Sequence, residues 1–145
     1  MPRKSKFFRV ATEGATTDGR KIERKWLQQA AKNFDPLTYG ARVFMEHIRG
    51  INPAWGFSCL GDVLALETRE VDGKLALFAQ IDPTDELVTL TDARQKIYSS
   101  IEIAENFANT GEAYLVGLGV TDSPASLGTE ILAFASQNPA VSPFT

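Results

Sequence analysis

The sequence holds one cysteine, Cys59, and one histidine, His47. A lone cysteine allows no internal disulfide, which suits a reducing compartment. One of each also excludes, within a single chain, the common zinc sites, which draw most of their four ligands from Cys and His. A carboxylate-only metal site stays open on that count, but no stretch has EF-hand spacing, so neither a metal nor a cofactor is expected. No apolar run approaches the roughly 18 residues of a membrane helix. The first residues lack the apolar core of a signal peptide. The expectation is a cytoplasmic protein without a membrane partner. An excess of one charge sign is missing too: 15 basic side chains face 18 acidic ones, for a net charge of −3. That balance argues against a nucleic-acid partner, which calls for a basic face. Arg3, Lys4 and Lys6 form a small basic cluster near the start, where solvation is the default role.

Several familiar catalytic motifs are absent as well. Gly56 to Gly61 reads GFSCLG, one residue too long for a G-x-S-x-G elbow. The GLG at Gly117 to Gly119 lacks the third glycine of a dinucleotide fingerprint. No G-x-x-x-x-G-K phosphate loop occurs.

What remains is a chain of 145 residues, 43% of them hydrophobic, enough for one domain with a real core. KFFRVAT, Lys6 to Thr12, reads as a strand, and GATTDGR, Gly14 to Arg20, as turn chemistry around Asp18-Gly19. From Ile22 to Phe34 the apolar residues Ile22, Trp26, Leu27, Ala30, Ala31 and Phe34 recur on one helical face. Asp35-Pro36 ends that helix. Arg42 to His47 reads as a short strand and Gly50 to Gly56 as a loop. Gly61 to Val71 and Lys74 to Ile81 form a hairpin about Asp72-Gly73. Thr84 or Asp85 caps a second helix that buries Leu87, Val88 and Leu90. Strands follow at Lys96 to Glu105 and Ala113 to Val120, separated by a turn at Asn109-Thr110-Gly111. Glu130 to Phe134 reads as a short strand or a helix turn, and Ser136 onward as a linker or tail. Trp26 and Trp55 are assigned to packing. Hairpins dominate and no βαβ rhythm appears. The fold expected is α+β, a mostly antiparallel small β-barrel or curled sheet with helices packed outside.

KIYSSIEIAE, Lys96 to Glu105, organises the rest. Side chains alternate along a strand, so Ile97, Ser99, Ile101 and Ile103 share the core face. Tyr98, Ser100 and Glu102 share the other. Ser100 is then either a nucleophile displayed on a rigid strand or an ordinary surface serine. His47 is the one side chain whose ordinary pKa suits acid–base chemistry near neutral pH, though a histidine at a strand end is as readily structural. Asp18 is by default a turn residue, or else a group that orients the histidine. A Cys59–His47 pair is conceivable, against the common role of free cysteine as a small buried hydrophobe. Glu102 either shapes a cleft beside Ser100 or is a solvated strand residue.

Taken together, TTDGR, MEHIRG, YSSIEI, FANTG and GLGVTDSPASLGTE resemble the GpO-type capsid scaffolding protein and serine peptidase of tailed phages. The blocks are collinear from Lys6 to about Phe134, and several blocks in order are far more specific than any one. The resemblance implies a serine endopeptidase domain over residues 1–135. A linker over 136–145 would lead to a helical scaffolding region that these residues do not contain. It also implies a distant likeness to phage prohead proteases and herpesvirus assembly proteases. Position by position it makes Ser100 the nucleophile, His47 the general base and Asp18 the residue that orients the histidine. Strand parity had separately favoured Ser100 over Ser99 for the exposed face. The implied partners are the major capsid protein and the chain's own scaffolding region, with room for a homodimer. The implied setting is the host cytoplasm, inside the assembling procapsid. Self-cleavage is expected at Ala135-Ser136 or Ala140-Val141, and the oxyanion donors are expected in the loop from Gly119 to Ser126. The competing readings are a scaffolding or capsid-interaction module that keeps the fold without the chemistry, and an unrelated small-molecule-binding barrel.

Overall fold

A computed structural model describes residues 4–48 and 59–134. Trp55 and both expected self-cleavage sites lie outside these residues. Among the described residues the fold is α+β, with eight strands, two α-helices and one short 3-10 turn (Phe107–Asn109). Six strands make one sheet in the order β1-β6-β5-β4-β8-β7. These are β1 (Phe7–Thr12), β4 (Arg42–Met45), β5 (Gly61–Val71), β6 (Lys74–Pro83), β7 (Tyr98–Ala104) and β8 (Tyr114–Thr121). Neighbours are antiparallel except β4 and β8, which run parallel. The two-residue strands β2 (Gly14–Ala15) and β3 (Lys21–Ile22) form a small separate hairpin that carries Asp18 at its turn.

The barrel alternative is not realised. β1 and β7 end the strand order with no ladder between them, so the sheet stays open. The gap is bridged by Glu130 to Phe134, which forms neither the short strand nor the helix turn expected there. This strap runs extended: Glu130 N donates to Arg9 O at 2.8 Å, and Leu132 N donates to Ile97 O at 2.7 Å. Leu132 and Phe134 are buried, and Phe134 packs edge-on against Phe8 with ring centroids 5.5 Å apart. An isolated pentapeptide with alternating burial satisfies its backbone from both neighbours without repeating any ladder, and so escapes a periodicity reading.

The helices sit where the apolar pattern puts them. α1 (Arg24–Asn33) buries Leu27 and Ala30, with Ile22, Ala31 and Phe34 packed against the core. α2 (Asp85–Asp92) is capped by Thr84, whose Oγ1 accepts from Leu87 N at 3.3 Å and donates to Leu60 O at 3.0 Å. Its inward side is Leu87 and Thr91. Thr91 satisfies its hydroxyl on the carbonyls of Leu87 and Val88, which lets a polar residue face inward. Cys59 is half-buried, and its thiol donates to Gly61 O at 3.0 Å.

Candidate active site

β7 follows the parity of its sequence. Ser99 is fully buried, Ile101 and Ile103 pack against the core, and Ser100 looks the other way. Residues directly opposed in an antiparallel pair place their side chains on one face of the sheet. Ser100 is opposed to Gly119 of β8, and Glu102 to Gly117. A small side chain and a carboxylate therefore stand above two glycines, one pleat repeat apart.

His47 is brought onto this face from the next strand. The expected strand to His47 stops two residues short, at Met45, because Glu46 and His47 both take left-handed backbone, with φ 50° and 64°. Such a conformation costs about 1–3 kcal/mol at a non-glycine residue and persists only where the surroundings enforce it. Here they do. Glu46 N donates to Val120 O at 2.9 Å, and Ile48 N closes the turn on Met45 O at 2.9 Å. The Glu46 carboxylate accepts from Lys96 Nζ at 2.7 Å and from Thr121 Oγ1 at 2.8 Å. Lys96 also meets Asp122, through its ammonium at 3.1 Å and its backbone N–H at 2.8 Å. These contacts hold the Glu46 carboxyl below the usual carboxylate range and raise Lys96, each chiefly through the hydrogen bond between the two.

The turn lays the imidazole flat against β8. A Cβ on Gly119 would lie 2.7 Å from both Cε1 and Nδ1 of His47, closer than atoms can stand. The bare glycine is thus what lets the ring lie directly across the ladder from Ser100. His47 Nδ1 lies 2.6 Å from Glu102 Oε2. A carboxylate only accepts, so Nδ1 carries the proton in that contact.

Asp18 has different neighbours. Its carboxylate accepts from Thr16 Oγ1 and, at 2.9 Å, from Arg20 Nε, and these two bonds, Thr16 first, hold its pKa down to about 2. The hairpin it closes is fastened to the loop after β8, where Thr17 N donates to Ala125 O at 2.8 Å and Thr16 bridges to Ser126. Hairpin, loop and β7 enclose a cavity of about 400 Å³ that opens on Ser100. Its polar lining includes Thr16, Arg20, Lys21, Glu105 and Ser126 beside Ser100, and its apolar lining Ile22, Trp26 and Ile103. Trp26, assigned to packing, is half-buried and forms part of this wall.

Of the three residues singled out for catalysis, the fold sets Ser100 on β7 and His47 just past the end of β4, on either side of β8 and its Gly119, and leaves Asp18 in the turn of the β2–β3 hairpin. Glu102, Gly119 and Arg20 are the site residues that the sequence reading weighed lightly or passed over. Their signals were faint but physical: Glu102 shares the parity of Ser100, Gly119 is a glycine inside a strand, and Arg20 lies two residues from Asp18.

The model of the GPO serine peptidase N-terminal domain matches residues 5–137. The chain belongs to that family. It is also 53% identical over 144 residues to the capsid assembly scaffolding protein of Escherichia phage P2. That match takes in 93% of this chain and 51% of the relative, so the chain spans about half the relative's length. No solved structure gives a significant match.

Proposed function

We propose that this domain is a serine endopeptidase of phage capsid maturation, cutting its own scaffolding region and capsid proteins inside the procapsid in the host cytoplasm. The observation that carries the reading is the Ser100–Gly119–His47 arrangement, a hydroxyl and an imidazole across one bare glycine. In this reading Ser100 Oγ attacks the scissile carbonyl. His47 takes the proton and returns it to the leaving amine. Asp18 is the acidic member that the family likeness supplies, and its bond to Arg20, which lines the cavity at Ser100, supports a role near the site. The domain would occupy residues 1–135, with 136–145 leading toward the scaffolding region. The cavity lies beside β7, the last strand of the sheet, where an extended peptide can add as a further strand. An open sheet with the serine and the histidine on either side of one strand, β8, also supports a distant likeness to the herpesvirus assembly proteases.

The test is intact-mass analysis of the full-length protein beside its Ser100→Ala variant. The proposal expects a fragment ending near Ala135 or Ala140 from the first and an uncut chain from the second, with the capsid protein co-expressed. Equal cutting in both removes Ser100 from the chemistry. The likeness to a capsid assembly scaffolding protein favours a second reading, a scaffolding module that binds the major capsid protein and has no peptidase role. That reading expects procapsids to assemble with no serine-dependent cut in either sample.

A further inference from the structure

We infer that Glu102 is the positioning residue for His47: its carboxylate fixes the imidazole as the Nδ1–H tautomer and so leaves Nε2, with its lone pair, as the nitrogen available to Ser100. The inference rests on the peptidase reading for its catalytic meaning, and on geometry for its substance.

Four observations carry it. The Nδ1 to Oε2 distance is 2.6 Å, a short, charge-assisted hydrogen bond. Which nitrogen of a histidine holds the proton is set by the partner of the other, so this bond determines the tautomer. Glu102 is also placed without freedom to drift. It lies on the same strand and face as Ser100, both are locked to β8 by ladder pairing, and two residues of strand span about 6.6–6.8 Å. The imidazole over Gly119 is held at Nδ1 by Glu102, and Gly119 is the residue that Ser100 faces across the ladder. Third, the Glu102 side chain is 16% exposed, against 38% for His47, so water competes little for the carboxylate. Fourth, Asp18 is engaged elsewhere, with its two oxygens on Thr16 and Arg20. Among the described residues, the hydrogen-bond partner of the imidazole is Glu102. Asp18 instead holds Arg20, which lines the cavity, and the turn of the hairpin.

His47 is the only histidine of the sequence, so its ring gives one unambiguous pair of nitrogen signals. The experiment is ¹⁵N NMR of the imidazole in this chain, in Glu102→Gln and in Asp18→Asn, at a pH where the ring is neutral. Glutamine keeps the size of glutamate, and an unchanged backbone amide spectrum checks that the variants fold. The parent and Asp18→Asn are expected to show the Nδ1–H pattern, and Glu102→Gln to lose it in favour of Nε2–H. Self-processing in full-length Glu102→Gln is expected to fall about 100-fold or more, since an imidazole in the wrong tautomer cannot accept the serine proton. An Nδ1–H pattern that survives in Glu102→Gln overturns the inference. So does a switch that occurs in Asp18→Asn and not in Glu102→Gln. Failure of the peptidase reading is separate: it shows as cutting that persists in Ser100→Ala, which leaves the tautomer result untouched.

Discussion

Gly119 lies opposite Ser100 in the ladder between β7 and β8, and its missing side chain is the space that the His47 ring fills. The relationship makes a glycine inside a buried strand part of the proposed catalytic geometry. Gly119→Ala puts a methyl group 2.7 Å from two ring atoms. The ring is partly exposed and can swing outward, so the fold survives with a small loss of stability. Processing is expected to fall about 100-fold, the usual penalty for displacing a reacting group by about an ångström. Thermal unfolding and a self-processing time course on the same sample separate the two effects.

The Lys96–Glu46–Asp122 cluster holds the left-handed turn under His47 from the side of β7. Lys96→Met removes the cation from both carboxylates. Exposed ion pairs contribute about 0–1 kcal/mol, so the unfolding midpoint moves little. Release of the turn is expected to show instead as faster amide exchange at Glu46 and Ile48, and as a processing rate reduced several-fold.

The same cluster gives the site an acid limit. The folded-state pKa of Glu46 is depressed, so its contribution is fully present above the unfolded value near 4.5 and is lost as pH falls through the lower folded value. Amide exchange at Glu46 and Ile48 is therefore expected to be steady from neutrality down to about pH 4.5 and to rise below it. In Lys96→Met the rise begins at higher pH.

Asp18 offers a direct check on the hairpin wall. Its carboxyl is expected to titrate at about 2. Loss of either partner, in Thr16→Val or Arg20→Ala, moves the midpoint up toward the ordinary aspartate value of 3.8. Side-chain carboxyl NMR across an acid titration reads this. A midpoint unmoved in both variants contradicts the hydrogen bonds described for this turn.

Leu132 tests the strap that closes the gap between β1 and β7. The residue is 1% exposed, and its backbone N–H is bonded to Ile97 O. Leu132→Ala is expected to cost about 2–5 kcal/mol, the range for a buried leucine truncated to alanine, measured by denaturant unfolding.

The sheet was legible wherever one face alternates or a turn dipeptide intervenes. Asp72-Gly73 marks the hairpin of β5 and β6, and the isoleucines of β7 place Ser99 inward. The helices were legible through Leu27, Ala30 and Leu87. The strap was not, because Leu132 and Phe134 are too few to set a period and their burial depends on strands far away in sequence. The site was half legible. Ser100 and His47 stood out by parity and by rarity. Glu102 did not, because its meaning comes from a ring delivered by a strand 55 positions away along the chain. That delivery depends on two left-handed residues that no turn signal announces. The open sheet has a related cause: alternation predicts which face of a strand is buried, and it carries no information on whether the last strand meets the first.

The strap has a mechanical consequence. It is the last segment described before the chain leads onward, and its hydrogen bonds grip the two ends of the sheet at Arg9 and Ile97. Ile97 stands three positions before Ser100 on the way into β7. A tug on the chain beyond Phe134 is borne first by the Phe134–Phe8 contact on β1 and next by the Leu132–Ile97 bond, just before the strand that bears the serine. The load point at Ile97 and the Ser100 hydroxyl then stand about 10 Å apart along an extended backbone.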